Sequence, residues 1–199
     1  PFGIVVNREA ERFYNEGEDF WPKRYAIWGR LIAQQTDQIA YSIVDAKVID
    51  KFIPSVFPAV EAQTLSSLAG LLDLDAKRLQ TTVSVYNQSI RPGGYDSTVL
   101  DDARTEGITP AKSHWALPLD TPPFYAYPVR PGITFTYLGL EVDKQARVMM
   151  EDGNASLNVF AAGEIMAGNV LGQGYCAGTG MTIGGVFGRI AGREAASCL

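Results

Sequence analysis

Gly168, Gly172, Gly174, Gly178 and Gly180 crowd one short stretch of the chain. They lie within residues 159–196, VFAAGEIMAGNVLGQGYCAGTGMTIGGVFGRIAGREAA. The stretch reads as a strand, an abrupt Gly163-Glu164 stop, a glycine-rich loop and a long helix of small residues. Glycine lets the main chain come close to a ligand and adopt positive φ. A helix starting near Gly180 would turn the positive end of its dipole into the loop. Glu164, just past the strand, is placed to accept a hydrogen bond from a sugar hydroxyl. This is a cradle for phosphate or cofactor, suited to a flavin or a dinucleotide. The same glycines also serve turns and close helix packing, and Gly184, Gly188 and Gly192 have the spacing for the latter.

Other chemistry-bearing residues are few. His114, flanked by Lys112, Ser113 and Trp115, is the single histidine. It can bind substrate or move a proton, or be a solvated or core-edge residue. The run Glu16, Glu18, Asp19 reads as a solvated turn. One histidine and the distant Cys176 and Cys198 make no metal set, and no Ser-His-Asp arrangement is recognisable.

The elements that must position these groups follow from periodicity and punctuation. Residues 4–6 read as a strand. Residues 22–35 read as a helix with Pro22 in its first turn. Residues 39–44 read as a strand closed by Asp45. Thr64 and Asp75 are caps for two helices, the second carrying Leu79, Val83, Tyr86 and Ile90 on one face. Residues 91–94, RPGG, end it. Residues 91–123 form a long connection rich in Asp, Thr, Pro and Gly. Strands are expected over 124–129, 133–140, 146–150 and 157–162, with a tight turn at 143–145. The fold class is α+β, with a mostly helical part over 1–123 and a β-rich part over 124–199 closed by one helix.

The chain has 199 residues, 46% hydrophobic and 20% charged, which can bury a core. A net charge of −5 argues against nucleic acid. No run of apolar residues is long enough to span a membrane. Two cysteines make no disulfide framework, so a reducing compartment is the default. No signal peptide is visible, although the sequence begins Pro1-Phe2.

Residues 3–16, GIVVNREAERFYNE, resemble the segment that opens the capping domain of FAD-dependent dehydrogenases of the fumarate reductase and succinate dehydrogenase flavoprotein group. Residues 124–139 resemble the return from that cap to the flavin domain. FAAGE at 160–164 and FGRIAG at 187–192 resemble the terminal flavin motifs. Within the group, EDFWPKRYAIWGRLIAQQ, PAKSHWALPLDTPPFYAYPVRPGITFTYLG and GEIMAGNVLGQGYCAGTGMTIG resemble the tricarballylate-oxidising dehydrogenases. The resemblance implies oxidation of tricarballylate to cis-aconitate on FAD, with a separate electron-acceptor protein at the membrane. It implies a cytoplasmic location, peripheral to the inner face of the membrane. It also implies that the G-x-G-x-x-G Rossmann half of the same protein lies outside this sequence. The present segment would then hold the cap (1–123) and the C-terminal part of the FAD domain (124–199), and would be inactive alone.

The resemblance places Gly163, Glu164, Gly174, Gly178, Gly180, Met181, Thr182 and Ile183 at the cofactor. Arg24 takes the place of the family's proton-shuttling arginine, alternatively being a surface residue of an amphipathic helix. As arginine is a poor base, the role requires a relay. Arg130 falls near the pocket and suits a carboxylate. Thr136, Tyr137 and Tyr175 are pocket positions, and Tyr175 joins Arg24 and His114 as a catalytic candidate. The chain departs from fumarate reductases where those carry His-Thr-x-Gly-Gly, having Phe135-Thr136-Tyr137-Leu138-Gly139. It departs again where they carry Asn-Arg-x-Gly-Gly, having Gly174-Tyr175-Cys176-Ala177-Gly178. The Tyr-x-x-Gly form resembles 3-ketosteroid Δ1-dehydrogenases, which supply an alternative substrate class.

Overall fold

A computed structural model describes residues 2–198, which divide into two compact units. The first takes in the chain up to Trp21 and Trp28–Pro131. The second takes in Pro22–Ile27 and the chain from Gly132 onward.

The first unit is built on an antiparallel sheet in the order β1-β2-β6-β3. Its strands are β1 (Ile4–Asn7), β2 (Ala40–Asp45), β3 (Val60–Ala62) and β6 (Phe124–Val129). Ile4 faces Ile43, and Ile43 faces Ala126, so the register stacks small and branched apolar side chains across three strands. Two helices supply the other layer, α3 (Leu65–Leu71) and α4 (Ala76–Ser89). Both have the expected caps: Thr64 accepts from Ser67 N at 3.0 Å and Asp75 from Arg78 N at 2.8 Å. Leu79, Val83 and Tyr86 of α4 are buried against Ile4, Val6, Tyr41, Ile43 and Phe124. Each such side chain contributes about 1.5–3 kcal/mol.

Asp45 closes β2 as expected, and its buried carboxylate explains why. It accepts from Asp120 N and Thr121 N at 3.1 Å and pairs with Lys47 at 3.1 Å, tying the end of β2 to the segment that enters β6. The long connection carries a two-stranded ribbon, β4 (Ile90–Arg91) with β5 (Arg104–Thr105). The helix before it ends at Ser89, so Ile90 belongs to the ribbon and not to the helix face.

The helix expected over 22–35 is broken into α1 (Trp21–Arg24) and α2 (Ile27–Ala33). In a continuous helix the Pro22 carbonyl would take the N–H of residue 26. Here it accepts from Ala177 N at 3.0 Å. Trp28, beyond the break, packs edge-on against Phe13 and Tyr14 in the first unit.

The second unit contains the ribbon of β7 (Arg147–Met149) and β8 (Ala155–Phe160), then a 3-10 segment Glu164–Asn169 and the helix α5 (Thr179–Ala196). The tight turn before β7 is present: Asp143 Oδ1 accepts from Gln145 N and Arg147 N, both at 2.9 Å. Residues 133–140 form no strand, contrary to expectation. Their main-chain donors go to the 3-10 segment instead, Thr136 N to Glu164 Oε1 at 2.9 Å and Leu140 N to Ile165 O at 2.7 Å. Gly139 permits this closeness, because a Cβ there would lie 1.9 Å from Ile165 O. The core is small: Val148, Ala161, Met166, Ala167 and Ile183, with Phe135 packed on it. The sequence reading divides the chain at 123/124. Contacts instead keep β6 with the first unit and assign Pro22–Ile27 to the second.

Candidate functional site

The glycine loop and the start of α5 lie in the second unit. Gly163 has φ 83° and ψ −150°, a conformation open essentially to glycine, and turns the chain out of β8. Gly174 and Gly178 have φ of 75° and 91°. A Cβ on Gly163, Gly172, Gly174 or Gly178 would meet no atom within 4 Å. The loop therefore offers an open main-chain surface at the positive end of an eighteen-residue helix. This open, glycine-lined surface fits the phosphate or ring edge of a flavin. Glu164, Gly174 and Gly178 are exposed along this surface and Gly163 is half-buried, with Met181 and Thr182 exposed at the start of the helix. Ile183 is 4% exposed and packs into the core, so only its main chain remains for a ligand. Glu164 is exposed and already accepts from Thr136, from N at 2.9 Å and from Oγ1 at 3.3 Å.

Gly180 has a different reason for being glycine. Its N–H donates to Tyr175 Oη at 2.9 Å, and a Cβ would lie 2.7 Å from that oxygen and 2.9 Å from Phe135 Cε2. The first turn of α5 is thus partly satisfied by a tyrosine from the loop before it. Phe135, Tyr137, Tyr175 and Tyr25 form a chain of rings, with centroids 5.0 Å apart for Phe135–Tyr175, 6.0 Å for Phe135–Tyr137 and 6.2 Å for Tyr25–Tyr175. The Tyr137 hydroxyl donates to the Gly174 carbonyl and staples the loop. Desolvation raises the Tyr25 pKa above its ordinary value, and neighbouring Tyr175, Cys176 and Tyr137 add to the rise. Arg24 sits half-buried just before Tyr25, on the segment bonded to the loop through Pro22 and Ala177.

The second unit therefore brings together Arg24, Thr136, Tyr137, Tyr175 and the glycine set. His114 and Arg130 belong to the first unit. His114 Nδ1 donates to the Asp101 carbonyl at 2.5 Å, and its ring tilts against Trp115. Arg130 Nη1 donates to the Asp37 carbonyl at 2.8 Å. Each makes a structural contact inside that unit.

Glu16 corrects the reading of the acidic run as a solvated turn. Arg12 and Glu16 form a bidentate pair, 2.5 Å and 2.9 Å, with side chains 5% and 6% exposed. Glu16 also accepts from Val5 N at 2.9 Å, and Arg12 donates to Pro110 O at 2.8 Å. Lys112 is fully buried and its Nζ donates to Gly3 O at 2.6 Å. Burial lowers its pKa to about 8. Asn15 bonds Ser113 through both its amide nitrogen and its oxygen. The RFYNE stretch is thus a clamp between β1 and residues 110–115. The polar residues Arg12, Asn15 and Glu16 bracketing the aromatic pair Phe13-Tyr14 are the signal that could have shown it.

Both cysteines are free and exposed. Among the described residues, no group of three His, Cys, Asp or Glu side chains could hold a metal, and no helix is long and apolar enough to cross a membrane.

The chain matches the FAD binding domain family over residues 1–183. It is 32% identical over 202 residues to a fumarate reductase (cytochrome) of Shewanella frigidimarina, covering 97% of this chain and 32% of that protein. It is 31% identical over 220 residues to a 4-oxocyclohex-2-ene-1-carboxylate 5-dehydrogenase of Sinomonas cyclohexanicum, covering 98% of this chain and 36% of that protein. The open conformation of a flavocytochrome c3 fumarate reductase superposes with a TM-score of 0.71 at 25% identity, covering 99% of this chain and 33% of that one. The chain thus spans about a third of the length of the proteins it matches.

Proposed function

From a chain that belongs to the FAD binding domain family, we propose part of an FAD-dependent dehydrogenase that oxidises tricarballylate to cis-aconitate. Bound FAD supplies a hydride acceptor at N5. In this reading this chain's glycine loop would hold the cofactor by main-chain contacts, with Glu164 beside it. The reading rests on one observation above others. The bond from Ala177 N to Pro22 O, 3.0 Å, joins the glycine loop to the segment that carries Lys23 and Arg24. A segment that carries two cations and is bonded to the glycine loop would suit a substrate with several carboxylates.

As the proton leaves ahead of the hydride, negative charge builds beside a carboxylate in the transition state, and a cation there lowers the barrier; loss of both leaves the carbon–carbon double bond with no added charge. Arg24 holds that carboxylate in this reading. It accepts the proton only as another leaves it through a relay. The Rossmann part of the cofactor site would be supplied by residues beyond this sequence. Electrons would leave to a separate acceptor protein at the inner face of the membrane, with the enzyme cytoplasmic.

The test uses the complete protein under anaerobic conditions. Adding tricarballylate should bleach the visible flavin band. An intact band despite bound flavin would reject this substrate. Arg24→Ala should cut kcat/KM by about a hundredfold or more, and normal turnover in that variant would refute the role of Arg24.

A second reading is favoured by the ring chain of Tyr25, Tyr175, Phe135 and Tyr137. Such a wall suits a cyclic ketone, as in 3-ketosteroid Δ1-dehydrogenases. Bleaching by a ring ketone but not by tricarballylate would establish it.

A further inference from the structure

We propose that Phe135 and Gly180 form a seat that fixes the Tyr175 hydroxyl over the first turn of α5, and that both act on the bound substrate through that hydroxyl. The inference rests on the flavin-site reading above and adds positioning residues to it.

Three observations carry it. Gly180 is not among the positive-φ glycines, so backbone freedom does not explain it. What its missing side chain leaves is room, because a Cβ would lie 2.7 Å from Tyr175 Oη and 2.9 Å from Phe135 Cε2. Phe135 is the link between Tyr175 and the interior: its ring stands 5.0 Å from the Tyr175 ring and packs on the core of Val148, Ala161, Met166, Ala167 and Ile183. Finally, the Tyr175 oxygen accepts from Gly180 N at 2.9 Å. An oxygen that accepts at a helix N-terminus is polarised toward donating its own proton, since hydrogen bonds in a chain strengthen one another. The seat therefore aims a strengthened O–H donor, suited to an anionic or carbonyl oxygen. Tyr137, whose ring touches Phe135 and whose hydroxyl binds Gly174 O, holds the loop on the other side.

The experiment compares Phe135→Ala, Phe135→Leu, Gly180→Ala and Tyr175→Phe in the complete flavoprotein, with 3-fluorotyrosine at position 175 read by fluorine NMR. Flavin content is checked in each variant by absorbance. Phe135→Ala should lower kcat/KM for tricarballylate about tenfold, since sub-ångström misplacement costs that order. Phe135→Leu should restore most of the loss. In the Tyr175→Phe background, adding Phe135→Ala should change kcat/KM less than about twofold, as expected for residues acting as one unit. The fluorine resonance should move in Phe135→Ala and in Gly180→Ala, and the Gly180→Ala shift, with the Phe135 ring still in place, reports the hydroxyl. An equal loss with and without the Tyr175 hydroxyl, or an unmoved resonance in both Phe135→Ala and Gly180→Ala, would overturn the proposal. If tricarballylate reduces no form of the protein, the substrate reading falls, while the resonance still decides the seat. Where Phe135→Ala does not fold, Gly180→Ala carries the same comparison.

Discussion

The two longest helices of the molecule are used in opposite ways. α4 has fourteen residues and buries Leu79, Val83, Tyr86 and Ser89. α5 has eighteen and buries Ile183 alone, while Met181 is 85% and Val186 51% exposed. Nothing lies within 4 Å of a Cβ placed on Gly184, Gly188 or Gly192. The first unit is closed by internal means: a two-layer core, a buried ion pair and side-chain bonds reaching across 98 positions of sequence. The second is held by a small core and by bonds from the loop onto the 3-10 segment and the helix start. Helical stability in proteins comes mostly from packing of one face, so α4 supports itself here and α5 has little to lean on. The difference teaches that, within these residues, the unit holding the glycine loop is closed less by its own contacts than the first unit is.

The sharpest way to test this contrast is to break the clamp of the first unit. Glu16→Ala leaves the buried Arg12 guanidinium without its carboxylate, at a cost of about 3–5 kcal/mol. Urea unfolding followed by circular dichroism should show the first unit destabilised by that amount. A loss under about 1 kcal/mol would show the pair to be dispensable. Next, Leu79→Ala should cost about 2–5 kcal/mol, whereas Val186→Ala on α5 should stay within about 0.5 kcal/mol in the same chain. Equal effects would erase the contrast between the helices.

The clamp region also predicts a pH dependence. Lys112 has a folded pKa of about 8, lowered first by burial, against an ordinary value of 10.5. Between those values the unfolded chain binds more protons than the folded one, so stability rises with pH through that window. Below about pH 8 the buried charge opposes folding in full. Lys112→Met should remove the slope between about pH 8 and 10.5 in urea melts. A slope that survives would place its origin elsewhere. A modest loss is expected at a cap: Asp75→Ala should cost about 1 kcal/mol. Hydrogen exchange should show faster exchange spreading from the α4 N-terminus while α5 is unchanged.

Local signals were legible where a residue and its reason lie close together in sequence. The caps Thr64 and Asp75, the Asp143 turn and the apolar runs of β1, β2 and β6 follow from neighbours within a few positions. The misread parts depend on distant partners. Residues 133–140 have strand-like composition, yet Glu164 and Ile165 take their donors. Glu16 looks like one of a charged run until Val5 and Arg12 surround it. The helix break after Arg24 depends on Ala177. Within the candidate site, the glycines at positive φ were legible as a loop. The role of Gly180 was not, because the space it leaves is shared by the Tyr175 hydroxyl and by Phe135, which is far away in sequence.

The hydrogen bond from Gly180 to Tyr175 also has a meaning for how this sequence can change in length. It closes the turn between those residues into a ring, with Thr179 N bonding Cys176 O inside it. An added or deleted residue between Tyr175 and Gly180 would swing the hydroxyl off the helix start. Gly172, by contrast, is exposed with open space beside it, so an extra residue there can bulge outward. Relatives with longer or shorter versions of this loop should therefore carry their insertions and deletions before the tyrosine and keep the spacing from tyrosine to helix constant.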